Sequence, residues 1–333
     1  SKMGIEDISD PFLARILLDK RNEKGITNIL RTIQVCQNEI IFYNMNESIL
    51  VQGCAGSGKT MILLHRLKCL MYNNPNYNWN AVRIITPNEE FDKSINDLRY
   101  NLQITQIETF TLQKYYLSVI DNYCNQKEDA VRDSNLHRKN RIKNDEEWRN
   151  DFVFYTYSSD FREALKTKVV QTYSANPTNS YYIAMNHFDK IYAEIMFDKF
   201  GDIVSSLGQK DYTCTLYARV LYLYLWFGAP VHTDSMLFID EGQDIGIEEY
   251  RLLNEVNGNK ARFNIYGDIK QKVQDSHGIT SWQDIPTPNK CFALNENYRN
   301  SKEIVKYYNQ HLGLDNQALG VNIRDVEEHV DID

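Results

Sequence analysis

The chain has 333 residues, of which 42% are hydrophobic and 25% are charged. These fractions are typical of a globular protein, and the lack of any run of ~18 apolar residues excludes a membrane-spanning helix. The 37 basic and 45 acidic residues give a net charge of −8, which excludes a broadly basic surface for coating polyanions. Binding to nucleic acid would therefore require a local groove. The length predicts two or three structural units.

The six cysteines are scattered along the chain without a CxxC pair. That spacing argues against a zinc site and against a disulfide framework, and it is typical of proteins in a reducing cytoplasm. The opening residues, SKMGIEDISD, lack a basic stretch followed by an apolar core, so no secretory signal is expected. We therefore predict a cytoplasmic protein with no membrane association.

Short apolar runs and helical patterns alternate along the chain. ESILVQG predicts a buried strand, and TMILLHRLKCLMY predicts a helix with apolar residues on or near one face. Further apolar runs that end in polar residues or glycine predict strands at AVRIITPN, QITQIETF, SMLFIDE, RFNIYGD and KCFALNENY. This alternation predicts an α/β fold with a parallel sheet covered by helices, which binds ligands at the carboxyl ends of its strands.

The pattern changes between residues 113 and 225. Glycine is almost absent there, and tyrosines and charges recur along helix-like segments such as FREALKTKVVQTY. We predict an N-terminal extension over residues 1–30, a sheet domain formed by residues 31–112 and 226–333, and a mainly helical domain over residues 113–225 that interrupts it.

The stretch GCAGSGKT, residues 53–60, follows the first predicted strand and opens a helix. It fits the pattern G-x-x-x-x-G-K-[ST], in which glycines let successive backbone N–H groups converge on phosphate oxygens at a helix N-terminus. Lys59 supplies a cation for the β- and γ-phosphates, and the Thr60 hydroxyl can bind Mg²⁺. The alternative is a glycine-rich turn that binds nothing. The residues predicted to bind the nucleotide here are Gly53, Ala55, Gly56, Ser57, Gly58, Lys59 and Thr60.

An acidic element accompanies the phosphate loop. MLFIDEGQD sets Asp240 and Glu241 at the end of a predicted buried strand. An aspartate there can hold Mg²⁺, and the neighbouring glutamate can position or deprotonate the attacking water. An Asp-Glu pair alone is weak evidence, since acidic residues often end strands. Together with the phosphate loop, it predicts a site that binds and hydrolyses a nucleoside triphosphate, with ATP and Mg²⁺ as its ligands.

With these motifs in place, the chain resembles superfamily 1 helicases of the UvrD/Rep type, and most of all their HelD-like branch, over residues 31–300. DEGQD matches the family's DExQD box, GDIKQ its GDxxQ element, and NENYRNSKEI its NYR-S motif. The resemblance implies a RecA-like P-loop NTPase domain, the family's domain 1A, interrupted by a helical domain 1B.

The resemblance also implies roles for individual residues. Glu241 would be the catalytic base, while Gln271 and Arg299 would contact the γ-phosphate. Gln37, ahead of the phosphate loop, lies where the family's adenine-reading glutamine falls. Tyr298 would pack beside the base of the nucleotide.

The family's nucleic-acid contacts are only partly kept. Where its best-known DNA motors read Phe-Thr-Asn-Lys, this chain reads TPNE at residues 86–89, which lacks the aromatic ring and the cation. Trp282 is the candidate substitute for the aromatic residues that follow the GDxxQ element, and Thr109 and Phe110 match the family's Thr-Phe contact. Base stacking is worth ~1–3 kcal/mol per base, so we expect weakened binding through Asn88, Thr109, Phe110 and Trp282.

The resemblance implies the ATP-hydrolysing N-terminal part of a helicase that moves 3′ to 5′ on single-stranded DNA. The family's second motor domain, with its TxHxxKGxE and TRA-type motifs, does not follow NYRNSKEIVKYYN. Either the chain is truncated or the natural protein is short; we favour truncation, and we expect a chain that binds ATP but is incomplete and poorly active by itself. A composition rich in asparagine, isoleucine and lysine suggests a bacterial source.

Two other functions stay open. An ATP-driven remodeller of RNA polymerase is suggested by the HelD-like resemblance, the acidic charge and the lost stacking residues, although residues 1–30 do not show the long upstream arm of that group. A non-catalytic interaction module that keeps the nucleotide fold is disfavoured by the full set of catalytic residue types. The process served, whether repair, plasmid replication, transcription recycling or phage defence, is not determined by the sequence.

Overall fold

The computed structural model describes the chain in segments. They comprise residues 35–54, 56–127, 150–206, 215–228, 234–272, 278–285, 288–294, 296–297, 306–307, 309–310 and 317–318. The predicted N-terminal extension, residues 1–30, lies outside them.

Strands and helices alternate along the described residues. The strands are β1 (Ile49–Gly53), β2 (Val82–Thr86), β3 (Glu108–Thr111), β4 (Met236–Ile239), β5 (Arg262–Gly267), β6 (Lys290–Leu294), β7 (Glu296–Asn297) and β8 (Gln317–Ala318). The α-helices are α1 (Val35–Phe42), α2 (Lys59–Asn73), α3 (Glu89–Asn101), α4 (Leu112–Gln126), α5 (Asn150–Thr156), α6 (Ser159–Ala175), α7 (Tyr181–Ser206), α8 (Leu216–Phe227) and α9 (Ile247–Val256). Between β3 and β4, the described residues form helices and no strand.

Six strands form one sheet in the order β3-β2-β4-β5-β1-β6. The neighbouring strands from β3 to β1 are parallel. β6 runs the same way beside β1, because the N–H of Asn289 donates to the carbonyl of Ser48 before the two strands, and the N–H of Cys54 donates to the carbonyl of Leu294 at their ends. The predicted fold class is confirmed: an α/β, RecA-like P-loop fold with a parallel sheet, interrupted by helices.

The central strands are buried irrespective of the direction in which their side chains point. All of β4 is buried, and only the first residue of β5 is partly exposed. Successive side chains of a strand point to opposite faces of the sheet, so both faces are covered. This explains why MLFI is a continuous apolar run rather than an alternating pattern.

The third strand is shorter than the sequence predicts. From the run QITQIETF, the paired strand begins only at Glu108. Gln103 adopts a left-handed conformation with φ 55°, and Ile104 and Ile107 bury their side chains within turns. A short apolar run does not distinguish a strand from another buried segment, and here buried turns replace the first five of the eight residues in the run.

The chain divides into two compact units. The first comprises the described residues of Ser1–Met45, Gly53–Pro75 and Phe292–Asp333. In this unit the buried guanidinium of Arg66, on α2, donates to the carbonyls of Ile40 (2.8 Å) and Tyr43 (2.7 Å) at the end of α1. The last carbonyls of a helix have no partner within it, so Arg66 satisfies them and joins α1 to α2.

The second unit comprises Asn46–Gln52 and the described residues of Asn76–Cys291. Its hydrophobic core is continuous between the helices that follow β3 and the sheet: Phe188 and Tyr222 belong to the same cluster as Leu237. The division into domains at residues 112 and 226 stays a prediction. Within the described residues, no helix combines the length and the apolar character that crossing a bilayer requires.

Candidate nucleotide-binding site

The phosphate loop begins at Gly53, the last residue of β1, and leads into α2 at Lys59. Gly56 (φ 76°) and Gly58 (φ 83°) adopt left-handed backbone conformations, which glycine reaches without a steric cost. A Cβ at Gly53 would lie 2.5 Å from Ser57 Oγ, so the loop folds back onto its own start. The glycines of the motif therefore stand where the backbone turns most tightly.

Lys59 is held against the start of this loop. Only 7% of the residue is exposed. Its Nζ donates to the carbonyls of Gly53 (2.9 Å) and Cys54 (3.4 Å). An ammonium group has three N–H donors, so these two bonds fix the cation at the loop and leave capacity for one further acceptor.

The start of α2 has the features of an anion site. Its N-cap is Gly58, which has no side chain that could cap the helix, and its first turn contains no acidic residue. Ser57 Oγ is buried and makes no hydrogen bond, although a buried hydroxyl normally has a polar partner. A helix N-terminus attracts anions, so these features together with Lys59 fit a phosphate group. Thr60, the second residue of α2, is partly exposed.

Gln37, on α1, belongs to the same unit as the loop. It is 5% exposed, and its Nε2 donates to the carbonyl of Ser57 across 3.5 Å. The residue that the resemblance assigns to adenine thus contacts the phosphate loop. Its part in reading adenine stays a prediction.

A group of acidic residues lies in the second unit, where β4 and β5 end. The strand register aligns Ile239 with Ile265 and Gln52 with Gly267, so the carboxyl ends of β1, β4 and β5 lie at one edge of the sheet. Asp240 directly follows β4 and is 3% exposed. A carboxylate at this edge fits the oxygen ligation that Mg²⁺ prefers.

Glu241 adopts an unusual backbone conformation. Its φ of 50° and ψ of 44° lie in the left-handed region. Residues other than glycine rarely occur there, and those that do are held by their surroundings and concentrate at functional sites. Asp240 Oδ1 accepts the N–H of Glu241 (3.0 Å), and Gln243 Nε2 donates to Glu241 Oε2 (2.9 Å). Both the backbone and the carboxylate of Glu241 are therefore held.

Gln243 connects Glu241 to the end of β5. It is 3% exposed, and its Oε1 accepts the N–H of Asp268 (3.0 Å). The carboxylate of Asp268 accepts in turn from Gln52 Nε2 (2.6 Å) and from the side-chain amide of Gln271. The predicted base and the predicted γ-phosphate contact are thus joined by one chain of hydrogen bonds within the second unit.

Sequence reasoning did not assign a role to Gln243, Asp268 or Gln52. The first two stand inside DEGQD and GDIKQ, so their motifs were the available signal. Gln52 carried none, because nothing in the sequence relates the end of β1 to residues more than two hundred positions later.

Comparison with known protein families identifies one whose model matches this chain. The model of a family described as an AAA domain matches residues 37–276, more than half of the chain. The chain belongs to this AAA domain family. The family is found in UvrD/Rep-like superfamily 1 helicases, so the chain is a P-loop NTPase of the helicase-like superfamily. No curated protein matches the chain.

Two residues predicted to touch nucleic acid make polar contacts within the AAA domain. Asn88 is exposed and caps α3, where its Oδ1 accepts the N–H of Phe91 (2.8 Å). Thr109 Oγ1 accepts from Arg99 Nη1 (3.3 Å). Both contacts explain the residue types structurally, and their part in nucleic-acid binding stays a prediction.

The two aromatic candidates, Phe110 and Trp282, pack against the hydrophobic core and remain partly exposed. The ring of Phe110 lies edge-on to Tyr115, with 6.1 Å between centroids. Trp282 Nε1 donates to Gln52 Oε1 (2.5 Å), and a Cβ at Gly267 would lie 2.8 Å from its ring. Trp282 is therefore placed beside the acidic edge of the AAA domain.

Three predicted site residues, Ala55, Tyr298 and Arg299, lie outside the described residues. Among those described, no group of three or more His, Cys, Asp or Glu side chains could hold a metal ion. Thr60 and Asp240 remain the residues predicted to hold Mg²⁺, in the company of phosphate oxygens rather than in a cage of protein ligands.

Proposed function

We propose that this AAA domain binds ATP with Mg²⁺ and hydrolyses it, as the ATPase part of a superfamily 1 helicase of the UvrD/Rep type. The observation that carries the proposal is the hydrogen-bond chain from Glu241 through Gln243 and Asp268 to Gln271. Within the second unit, it holds in one fixed arrangement a carboxylate that can act as a general base and a side-chain amide that can donate to a phosphate.

The loop and Lys59 bind the phosphates. Their N–H groups stabilise negative charge without a change of shape, because the loop is already turned. Thr60 and Asp240 would hold Mg²⁺, which when bound neutralises charge on the β- and γ-phosphate oxygens. Gln37, next to the loop, is assigned to the adenine ring.

Glu241 is assigned the proton of the attacking water. As the water oxygen bonds to the γ-phosphorus, its proton passes to the carboxylate, and ADP leaves with the bridging oxygen. The amide of Gln243 donates to Oε2 of Glu241, so we assign the proton of the water to Oε1. Gln271 supplies an amide donor to the γ-phosphate, and its bond to Asp268 links that contact to Gln243.

We also propose that hydrolysis is coupled to movement on single-stranded DNA, in the 3′ to 5′ direction that the resemblance implies. Thr109 and Phe110 would contribute contacts at the end of β3. Since the ring of Phe110 is partly engaged with Tyr115, the gain from base stacking should be small and binding should rest mainly on phosphate contacts, which weaken steeply with salt.

A second candidate is remodelling of RNA polymerase. It is favoured by the exposed ion pair between Glu89 and Lys114, whose Oε1 and Nζ lie 3.0 Å apart. Glu89 stands where the DNA motors of the resembling family carry a lysine, and the pair of Glu89 with Lys114 offers no net positive charge to a DNA phosphate.

One experiment separates these functions. ATP hydrolysis is measured with the protein alone, with a single-stranded oligonucleotide and with core RNA polymerase. Stimulation by the oligonucleotide that declines with salt supports the helicase, and stimulation by the polymerase alone supports the second candidate. Absence of ATP binding and of hydrolysis in all three conditions would overturn the proposed ATPase.

A further inference from the structure

Helix α9 follows the DEGQD turn and returns one side chain to it. Tyr250 is completely buried, and its hydroxyl donates to the carbonyl of Gly242 across 2.7 Å. Gly242 is the residue after Glu241, and a Cβ there would lie 2.7 Å from the tyrosine hydroxyl. The phenol ring and the turn that carries Glu241 are therefore in direct contact.

The hydroxyl of Tyr250 is a reliable donor. Burial, followed by the charges of Glu249 and Asp244, raises the pKa of Tyr250 well above its ordinary value. The group keeps its proton, so the bond to the carbonyl of Gly242 has a fixed direction. Among the backbone hydrogen bonds of the turn, the carbonyl of Gly242 accepts one, from the N–H of Ile245, and that bond is longer (3.3 Å).

The helix that bears Tyr250 is itself anchored. Glu249 Oε2 accepts the N–H of Gly246 (2.9 Å) at the start of α9, and Glu249 Oε1 accepts from the hydroxyl of Tyr116 (3.2 Å) on α4. Glu249 is 1% exposed, so these bonds form away from water. These bonds fix the start of α9, the helix that positions the hydroxyl of Tyr250.

The turn needs such support because Glu241 is in the left-handed region. The N–H of Asp244 donates to the carbonyl of Glu241 (3.1 Å), and Tyr250 holds the next carbonyl along the chain. We propose that Tyr250 is a positioning residue for Glu241, acting through the carbonyl of Gly242. This proposal rests on the proposed function of Glu241 as the base.

The test is Tyr250→Phe, which removes only the hydroxyl. The matched control is Tyr222→Phe, since Tyr222 is equally buried and its hydroxyl donates to the carbonyl of Ala184 (2.6 Å) in the helical segment. In single-turnover experiments, with the enzyme in excess over Mg·ATP and well above its dissociation constant, the hydrolysis rate constant of Tyr250→Phe should fall about tenfold. Its dissociation constant for ATP should stay within about twofold of the wild type. The control should change neither quantity.

Hydrogen–deuterium exchange provides a readout that does not depend on activity. In Tyr250→Phe, the peptide that contains the N–H groups of Asp244 and Ile245 should exchange faster, because the turn that carries their carbonyl acceptors is less firmly held. If the wild type does not hydrolyse ATP, the proposed function fails, and the exchange result still decides whether Tyr250 holds the turn. Exchange and hydrolysis equal to those of the control would overturn the proposal.

Rescue distinguishes positioning from a general loss of packing. Replacement of Tyr250 by 4-aminophenylalanine keeps the ring and returns an N–H donor to the same place, so it should restore most of the rate and the slow exchange. This variant also decides the matter if Tyr250→Phe does not fold. A 4-aminophenylalanine protein that folds, hydrolyses ATP slowly and exchanges fast would show that the donor is not the cause.

Discussion

Gln243 Nε2 lies 2.9 Å from Glu241 Oε2, while Oε1 of the same amide accepts the N–H of Asp268 at 3.0 Å. A primary amide can donate to a carboxylate and accept from a backbone N–H at the same time. Because its two ends have different partners, the amide can have only one orientation. Glu241 is therefore aligned by a residue that is itself aligned by the end of β5.

Gln243→Glu keeps the size of this side chain and replaces its N–H donor with a carboxylate oxygen, which can only accept hydrogen bonds. The new carboxylate would face the carboxylate of Glu241, and the two charges would repel. We expect hydrolysis to fall by ~10²-fold, with ATP affinity nearly unchanged, because the change acts on the base and not on the loop. Gln283→Glu, which makes the same change at an exposed position, should keep the wild-type rate. Equal rates in both variants would contradict the alignment role of Gln243.

Lys59→Ala removes the cation held at the phosphate loop by the carbonyls of Gly53 and Cys54. Bonds to charged groups are worth ~1.5–3 kcal/mol, so Mg·ATP affinity should fall by ~10–10²-fold. Isothermal titration calorimetry measures this directly. Lys68→Ala, further along α2, is the control and should bind ATP as the wild type does. Unchanged affinity in Lys59→Ala would mean that the loop is not a phosphate site.

Glu241→Gln keeps the shape of the base and removes its ability to accept a proton. Hydrolysis should fall by ~10²–10⁴-fold, which is the contribution of general acid–base catalysis, while ATP binding remains. Rapid-quench measurement of ADP and calorimetric titration give the two quantities. Glu163→Gln, at an exposed position on α6, is the control. Hydrolysis by Glu241→Gln at the wild-type rate would assign the base to another residue.

Arg162, on α6, should contribute far more to the free energy of unfolding than Lys168 on the same helix. It is 3% exposed and forms ion pairs with Glu248 and Glu255 on α9. Arg162→Met would leave these carboxylates with their longer pairs to Arg251 (3.8 and 3.4 Å), and the free energy of unfolding should fall by up to ~3–5 kcal/mol. Lys168→Met, also on α6, breaks the exposed pair with Glu194 on α7 and should cost only ~0–1 kcal/mol. Urea unfolding distinguishes the two, and equal costs would contradict this reading of Arg162.

His65, on α2, should make stability depend on pH. Burial lowers its pKa below the ordinary value of about 6.5, and its buried Nε2 has no hydrogen-bond partner. Above pH 6.5 both the folded and the unfolded forms are neutral. As pH falls below 6.5 the unfolded form binds a proton first, so stability declines until the folded pKa is passed. His65→Gln should remove this part of the decline in thermal unfolding measured from pH 7.5 to 5; an unchanged slope would rule His65 out as its source.

The local chemistry of the site could be predicted from the sequence because it lies in contiguous residues. The glycines at positions 53, 56 and 58, the lysine after them and the Asp-Glu pair after β4 are each specified by neighbours along the chain. Helix α2 buries Ile62, Leu63, Leu67 and Leu70. These residues recur with the 3.6-residue period of a helix, which is visible in the sequence itself. The alternation of strands with helices likewise predicted the parallel sheet.

Only the tertiary structure decided which distant residues hold this chemistry in place. The bond from Trp282 to Gln52 and the bond from Gln243 to the N–H of Asp268 depend on strand order and register. β1 lies beside β5, which follows it by more than two hundred residues, and no pattern within either strand specifies that neighbour. Side-chain hydrogen bonds extend over only about 3 Å, so partners are set by the packed sheet, whereas residue types and local turns are set by the chain itself.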